Sequence, residues 1–140
     1  MSNTQEVGNS TDVQEAFPVV DPGALPLGAR ILVQMRLPKK KMTASGIILA
    51  EETRDTEKAQ NPIGKVVAIG PLAFKKRDTM ESWPEGSWCE VGDFVRVPRW
   101  TGDRWEVKIN KEDTIEFMLM NDHEVIAKLT SNPLEMRAFV

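Results

Sequence analysis

Hydrophobic and polar residues alternate along much of the chain with the period of two that marks half-buried strands. In residues 30–36, Ile31, Val33 and Met35 share one face, and Arg30, Leu32, Gln34 and Arg36 the other. Pro38 ends that run, since proline brings no amide hydrogen to a ladder. Between Gly64 and Gly70 lies the run Val66-Val67-Ala68-Ile69, rich in residues that favour strands. Residues 94–97 form a short apolar run closed by Pro98. Residues 104–109 alternate cleanly, with Trp105, Val107 and Ile109 set against Arg104, Glu106 and Lys108. Residues 115–120 and 125–129 complete the set, with a turn predicted at Asn121-Asp122. No stretch has convincing helical periodicity, and there is no internal repeat. Short strands broken by Gly, Pro and Asp turns predict an all-β fold, a small β-barrel or a sandwich.

Two segments break the pattern. Residues 38–62, PKKKMTASGIILAEETRDTEKAQNP, are polar except for one apolar island, Gly46-Ile47-Ile48-Leu49. A loop of that length inside a compact domain is usually functional or disordered. Residues 71–90 contain Pro84-Glu85-Gly86 between Trp83 and Trp88, which reads as a tight turn with an aromatic on each arm, hence a hairpin.

Charge separates the N-terminus from the rest. Residues 1–24 hold Glu6, Asp12, Glu15 and Asp21 and no Lys or Arg. The chain is −3 overall and this stretch −4, which leaves +1 on residues 25–140. Few large apolar residues lie in 1–24, so they read as an acidic extension, flexible when the protein is alone. The extension has neither the basic nor the apolar region of a secretory signal. No apolar run approaches the ~20 residues of a membrane span. A single cysteine, Cys89, points to a reducing, cytoplasmic setting.

Candidate chemistry is sparse. His123 is the only histidine and falls at the predicted turn, so a solvated or strand-edge role fits it better than general-base work. Cys89, beside Trp88 near a strand start, reads as a small buried hydrophobe. Glu51 and Glu52 are adjacent, so on an extended chain they point apart and form no carboxylate pair. Phosphate-cradling glycine loops and zinc motifs are missing. No enzyme, cofactor or metal is expected. Four tryptophans and Lys39-Lys40-Lys41 are ingredients for single-strand binding. The acidic residues Glu51, Glu52, Asp55 and Glu57 share the lysines' loop, and the aromatics fit core and hairpin positions, so no nucleic-acid partner is expected.

The apolar island has two readings: a short edge strand packed on the core, or a hydrophobic anchor offered to a partner. Burying Ile47, Ile48 and Leu49 is worth roughly 4.5–9 kcal/mol. Ordering the loop costs about 1–2 kcal/mol per residue. One loop of this kind binds weakly, whereas several on a symmetric ring bind tightly through avidity.

In order along residues 26–129, the chain resembles the GroES-type co-chaperonins of the chaperonin-10 family. Pro26-Leu27 with Arg30-Ile31-Leu32-Val33 resembles the family's opening strand, with Ala29 where an acidic residue is usual. Ser45-Gly46-Ile47-Ile48-Leu49 resembles the mobile-loop motif, with Ser45 in place of its first glycine. Gly64-Lys65-Val66-Val67-Ala68-Ile69-Gly70 resembles the strand after the loop, and Val91-Gly92-Asp93-Phe94-Val95 the family's turn and strand. Phe117-Met118-Leu119-Met120 and Glu124-Val125-Ile126-Ala127 resemble the closing strands, with Glu124 for the usual Asp. Each motif is weak alone; five in the right order and spacing, around a loop of the right character, are strong together.

The resemblance implies a β-barrel domain over 25–129, with a mobile loop at 38–62, a roof hairpin at 71–90 and extensions at 1–24 and 130–140. It implies a heptameric, dome-shaped ring that caps a GroEL-type chaperonin under nucleotide control and encloses a folding client. Gly46, Ile47, Ile48 and Leu49 would then be the chaperonin-binding anchor, and Trp83 and Trp88 would lie near the dome top. The ring interface would pair Arg30, Ile31, Leu32 and Val33 with Val125, Ile126, Ala127 and Leu129 of a neighbour. The additions resemble those of virus-encoded, bacteriophage-type co-chaperonins acting in a host cytoplasm. A rival reading is a ring-forming structural part of a virus particle, and a third is a small barrel with no chaperonin link.

Overall fold

The computed structural model describes residues 10–37, 62–99, 101–111 and 113–134. Helix α1 (Ser10–Ala16) is followed by strands β1 (Arg30–Met35), β2 (Ile63–Ile69), β3 (Phe94–Arg96), β4 (Asp103–Lys108), β5 (Thr114–Asn121) and β6 (Ala127–Lys128). A 3-10 turn at Asp122–Glu124 joins β5 to β6. All strand pairs are antiparallel, and the sheet order is β4-β5-β1-β2-β3-β6. Each strand falls on a run that alternation or β-propensity marks in the sequence.

The sheet curls around its inner face. Met118 and Met120 of β5 share one core with Val95 and Val97, although β1 and β2 lie between β5 and β3. Ile31, Val33, Met35 and Val66 fill the space between them. The curl needs bare backbone at two crossings. A Cβ on Gly64 would overlap Val33 Cγ1, and one on Gly70 the carbonyl of Gly28. Gly70 sits so close because its N–H donates to Arg30 O at 2.8 Å while Leu72 N–H donates to Gly28 O at 2.9 Å.

The outer face is also buried, which the half-buried pattern of residues 30–36 did not anticipate. Leu32, Ile115 and Phe117 are fully buried there, flanked by Val20, Leu37, Trp105 and Val107. The cover is the N-terminal extension. Its helix α1 is too short to show a periodicity, and Pro18 stops it, since the residue before a proline is pushed out of helical backbone. Helices this short depend on tertiary contacts. Here Phe17 is buried, with its ring 5.0 Å from that of Phe94. Beyond it, Gln34 Nε2 donates to Pro18 O at 2.7 Å and Trp105 Nε1 to Pro22 O at 2.8 Å. Low apolar content pointed to a free extension, but carbonyl acceptors for two barrel side chains and one large aromatic suffice to seat residues 16–22. Gln34, polar in sequence, is thus buried and satisfied.

The Val91-Gly92-Asp93 motif folds as a turn for local reasons. Asp93 N–H donates to Glu90 O at 3.0 Å, and Gly92 takes φ +100°, which glycine adopts without strain. The Asp93 carboxylate accepts from Glu90 N–H at 2.8 Å. The closed turn then pairs with β2, through Gly92 N–H to Val66 O and Val66 N–H to Asp93 O, both 2.8 Å.

In 71–90 the hairpin lies a step earlier than the sequence pattern places it. Lys75 bridges Ser82, and Trp83 N–H donates to Phe74 O at 3.0 Å. The expected tight turn is present as a separate feature, with Gly86 N–H on Trp83 O at 2.8 Å. Trp83 and Trp88 meet edge to face at 4.9 Å between centroids, and both pack with Phe74 on the inner core.

Candidate functional site

Gly46, Ile47, Ile48 and Leu49, the expected anchor, lie outside the described residues; the place where their segment joins the barrel lies within them. β1 runs out at Met35, and Arg36 N–H still reaches across to Ile63 O at 3.0 Å. On the returning side Pro62 is buried, and its carbonyl accepts from Val97 N–H at 2.8 Å. Residues 38–61 therefore leave and re-enter at adjacent points. Leu37 N–H donates to Ala16 O at 3.0 Å, and Arg36 Nη1 to Pro133 O at 2.6 Å.

The residues expected at a subunit boundary separate into two groups. Ile31, Leu32 and Val33 are completely buried, and their strand is laddered on both sides, to β2 and to β5. A neighbour's strand finds no free edge there, so pairing through Arg30, Ile31, Leu32 and Val33 does not fit this sheet; only Arg30 is exposed. The periodicity located the strand but held no information on which edges the chain itself would use. Val125 is buried in the inner core, and Leu129 is partly covered. Ile126 (60% exposed) immediately precedes β6 and Ala127 lies on it, at one of the two ends of the sheet. Ahead of β1, Leu25 and Leu27 are 76% and 73% exposed on either side of the buried Pro26. Sequence reasoning missed Leu25, although apolar residues at i and i+2 around an inward proline were a usable signal.

Among the described residues no catalytic arrangement accompanies these surfaces. His123 is two-thirds exposed, with Nδ1 3.5 Å from the Asp122 carboxylate. Cys89 is buried, as expected of a small hydrophobe. Burial pushes its thiol up to about 11, helped by the negative charge of Asp93 and opposed by Lys128, so it is protonated at neutral pH. Among the described residues no cluster of His, Cys, Asp or Glu has the makings of a metal site, and no helix is long and apolar enough to cross a membrane.

Barrel and turn motif together fit the small all-β fold that the resemblance implies. Comparison with known proteins agrees. Residues 24–129 match the family described as Chaperonin 10 Kd subunit. A co-chaperonin GroES of Symbiobacterium thermophilum is 36% identical over 106 residues, covering 73% of this chain and 92% of that protein. The GroES of Syntrophomonas wolfei is 32% identical over 104 residues, covering 74% and 95%. A GroES 2 of Mesorhizobium japonicum is 33% identical over 101 residues, covering 72% and 84%. The chain belongs to the chaperonin-10 family, a chaperone family without enzymatic activity.

Proposed function

We propose that this protein is a co-chaperonin that caps a GroEL-type chaperonin in a nucleotide-controlled way and encloses a folding client. The observation that carries the reading is the family match over 24–129, which spans both sides of the loop root. The segment between Leu37 and Pro62 presents Gly46, Ile47, Ile48 and Leu49 as the apolar anchor. Pinned ends favour that role, because a fixed root lowers the entropy lost when a loop docks. Copies of the chain assemble into a ring, heptameric by resemblance to the family, so that weak anchors act together. The boundary we favour joins the exposed Leu25 and Leu27 of one subunit to the β6 edge of the next, around Ile126, Ala127 and Leu129. An extended apolar segment beside an open strand edge is the arrangement that strand addition uses. The protein works in the cytoplasm, with no nucleic-acid or membrane partner. The relatives reported above are named co-chaperonins, so a structural role in a virus particle is not favoured.

The test is co-sedimentation of the assembled protein with a purified GroEL-type chaperonin, with and without nucleotide. Binding that needs nucleotide is expected. Ile48→Asp is expected to abolish capture while leaving the ring assembled, because a carboxylate cannot enter an apolar groove cheaply. A mutant that still binds normally would refute the anchor assignment.

A further inference from the structure

The family match ends at residues 24 and 129, the described structure continues beyond both limits, and the two additions close on adjacent residues, Leu37 and Arg36. From the N-terminal side, Ala16 O takes the N–H of Leu37 at 3.0 Å, and Phe17 anchors that turn on Phe94. From the C-terminal side, Pro133 O takes Arg36 Nη1 at 2.6 Å. Pro133 is held for this, since Asn132 and Pro133 are buried and Asn132 Oδ1 accepts from Leu134 N–H at 2.9 Å, closing a small Asx turn. Leu37 is the last amide donor before the segment, because Pro38 has none. The β1–β2 ladder does not reach it: the register ends at Met35 opposite Gly64, and Arg36 N–H uses Ile63 O.

We propose that residues 16–17 and 132–133 form a collar around the root of the 38–61 segment, extending order to Leu37 and fixing where the chaperonin-binding segment leaves the barrel. This rests on the co-chaperonin reading above. The physical effect is entropic: each residue already ordered at the root need not be ordered on docking. The collar makes no contact with the partner and acts as a positioning element.

Amide hydrogen exchange on the intact assembled protein is the first test, and Leu37 is expected to be protected. In a variant whose first residue is Phe17, which keeps that ring but removes the carbonyl of residue 16, Leu37 is expected to exchange at least about tenfold faster, with the amides of Leu32 and Val33 unchanged. Nucleotide-dependent affinity for a purified GroEL-type chaperonin is expected to fall on the order of tenfold per loop, the factor for ordering one more residue. A second variant ending at Thr130 removes the Pro133 carbonyl from Arg36 and is expected to move both readouts the same way. An unprotected Leu37 in the intact protein overturns the collar, and so does unchanged affinity in both truncations. If the first truncation does not fold, the intact-chain exchange and the second truncation decide. If the intact protein captures no chaperonin at all, the co-chaperonin reading has failed, and exchange at Leu37 still decides the collar.

Discussion

Cys89 and Asp122 are both buried, and each shows how one polar group is made compatible with the interior. Cys89 does so by keeping its proton. Its thiol sits at about 11 in the folded chain against an ordinary value of 9.0. The unfolded chain therefore ionises first as pH rises, and the stability linked to this group, complete below pH 9, is lost between 9 and 11. At about 1.4 kcal/mol per unit the loss is ~2–3 kcal/mol. Urea denaturation of wild type and Cys89→Ala at pH 8 to 11, at one protein concentration, isolates it. The wild type is expected to lose more, and identical slopes would count against the shift. The folded thiol is also expected to resist alkylation at pH 8.

At the scale of elements, Asp122 is a joint. Its N–H donates to Ala29 O at 3.0 Å, which fixes the 3-10 turn to the approach of β1. Its carboxylate accepts the buried N–H of Phe74 at 2.8 Å. Phe74 holds φ +62°, an uncommon value for a bulky side chain, so the contact sustains a backbone that sterics disfavour. Asp122→Ala leaves that N–H buried and unpaired. The expected loss is about 1–3 kcal/mol, with Asp122→Asn, which keeps an acceptor, recovering much of it. Thermal or urea unfolding at fixed concentration measures both. Nothing in the sequence announces this joint, since 48 residues separate the partners. The strands were readable because alternation and turn residues are local signals. Trp105, Val107 and Ile109 lie together on the outer cluster, as their spacing implies. The seat of residues 16–22 was not readable, because it depends on Gln34 and Trp105, which only the folded sheet brings to one face. The same limit applies to the expected boundary residues: a period of two places Ile31 and Val33 on a face but does not say that both strand edges are spent within the chain.

For the whole molecule, the sheet has two ends, β4 and β6, and the proposed boundary would cover two exposed apolar side chains, Leu27 ahead of β1 and Ile126 beside β6. Leu27→Asp and Ile126→Asp are each expected to shift the assembly toward free subunits, with the barrel's circular dichroism retained. Covering each side chain stabilises a contact by roughly 1.5–3 kcal/mol, and a carboxylate there reverses the sign. Sedimentation velocity reads the outcome, and an intact ring in both variants would move the boundary elsewhere on the surface.

The seat of the N-terminal strap on Gln34, Trp105 and the outer cluster also has a historical consequence. A barrel face that lies under cover is free to accept apolar residues, and Leu32, Phe117 and Trp105 are what it holds here. Once such residues are in place, shedding the cover exposes them to water and strands the Gln34 amide. Losing the strap therefore requires several compensating changes at once. The addition works as a ratchet: descendants of this chain are expected to vary the residues of the strap far more readily than they dispense with it.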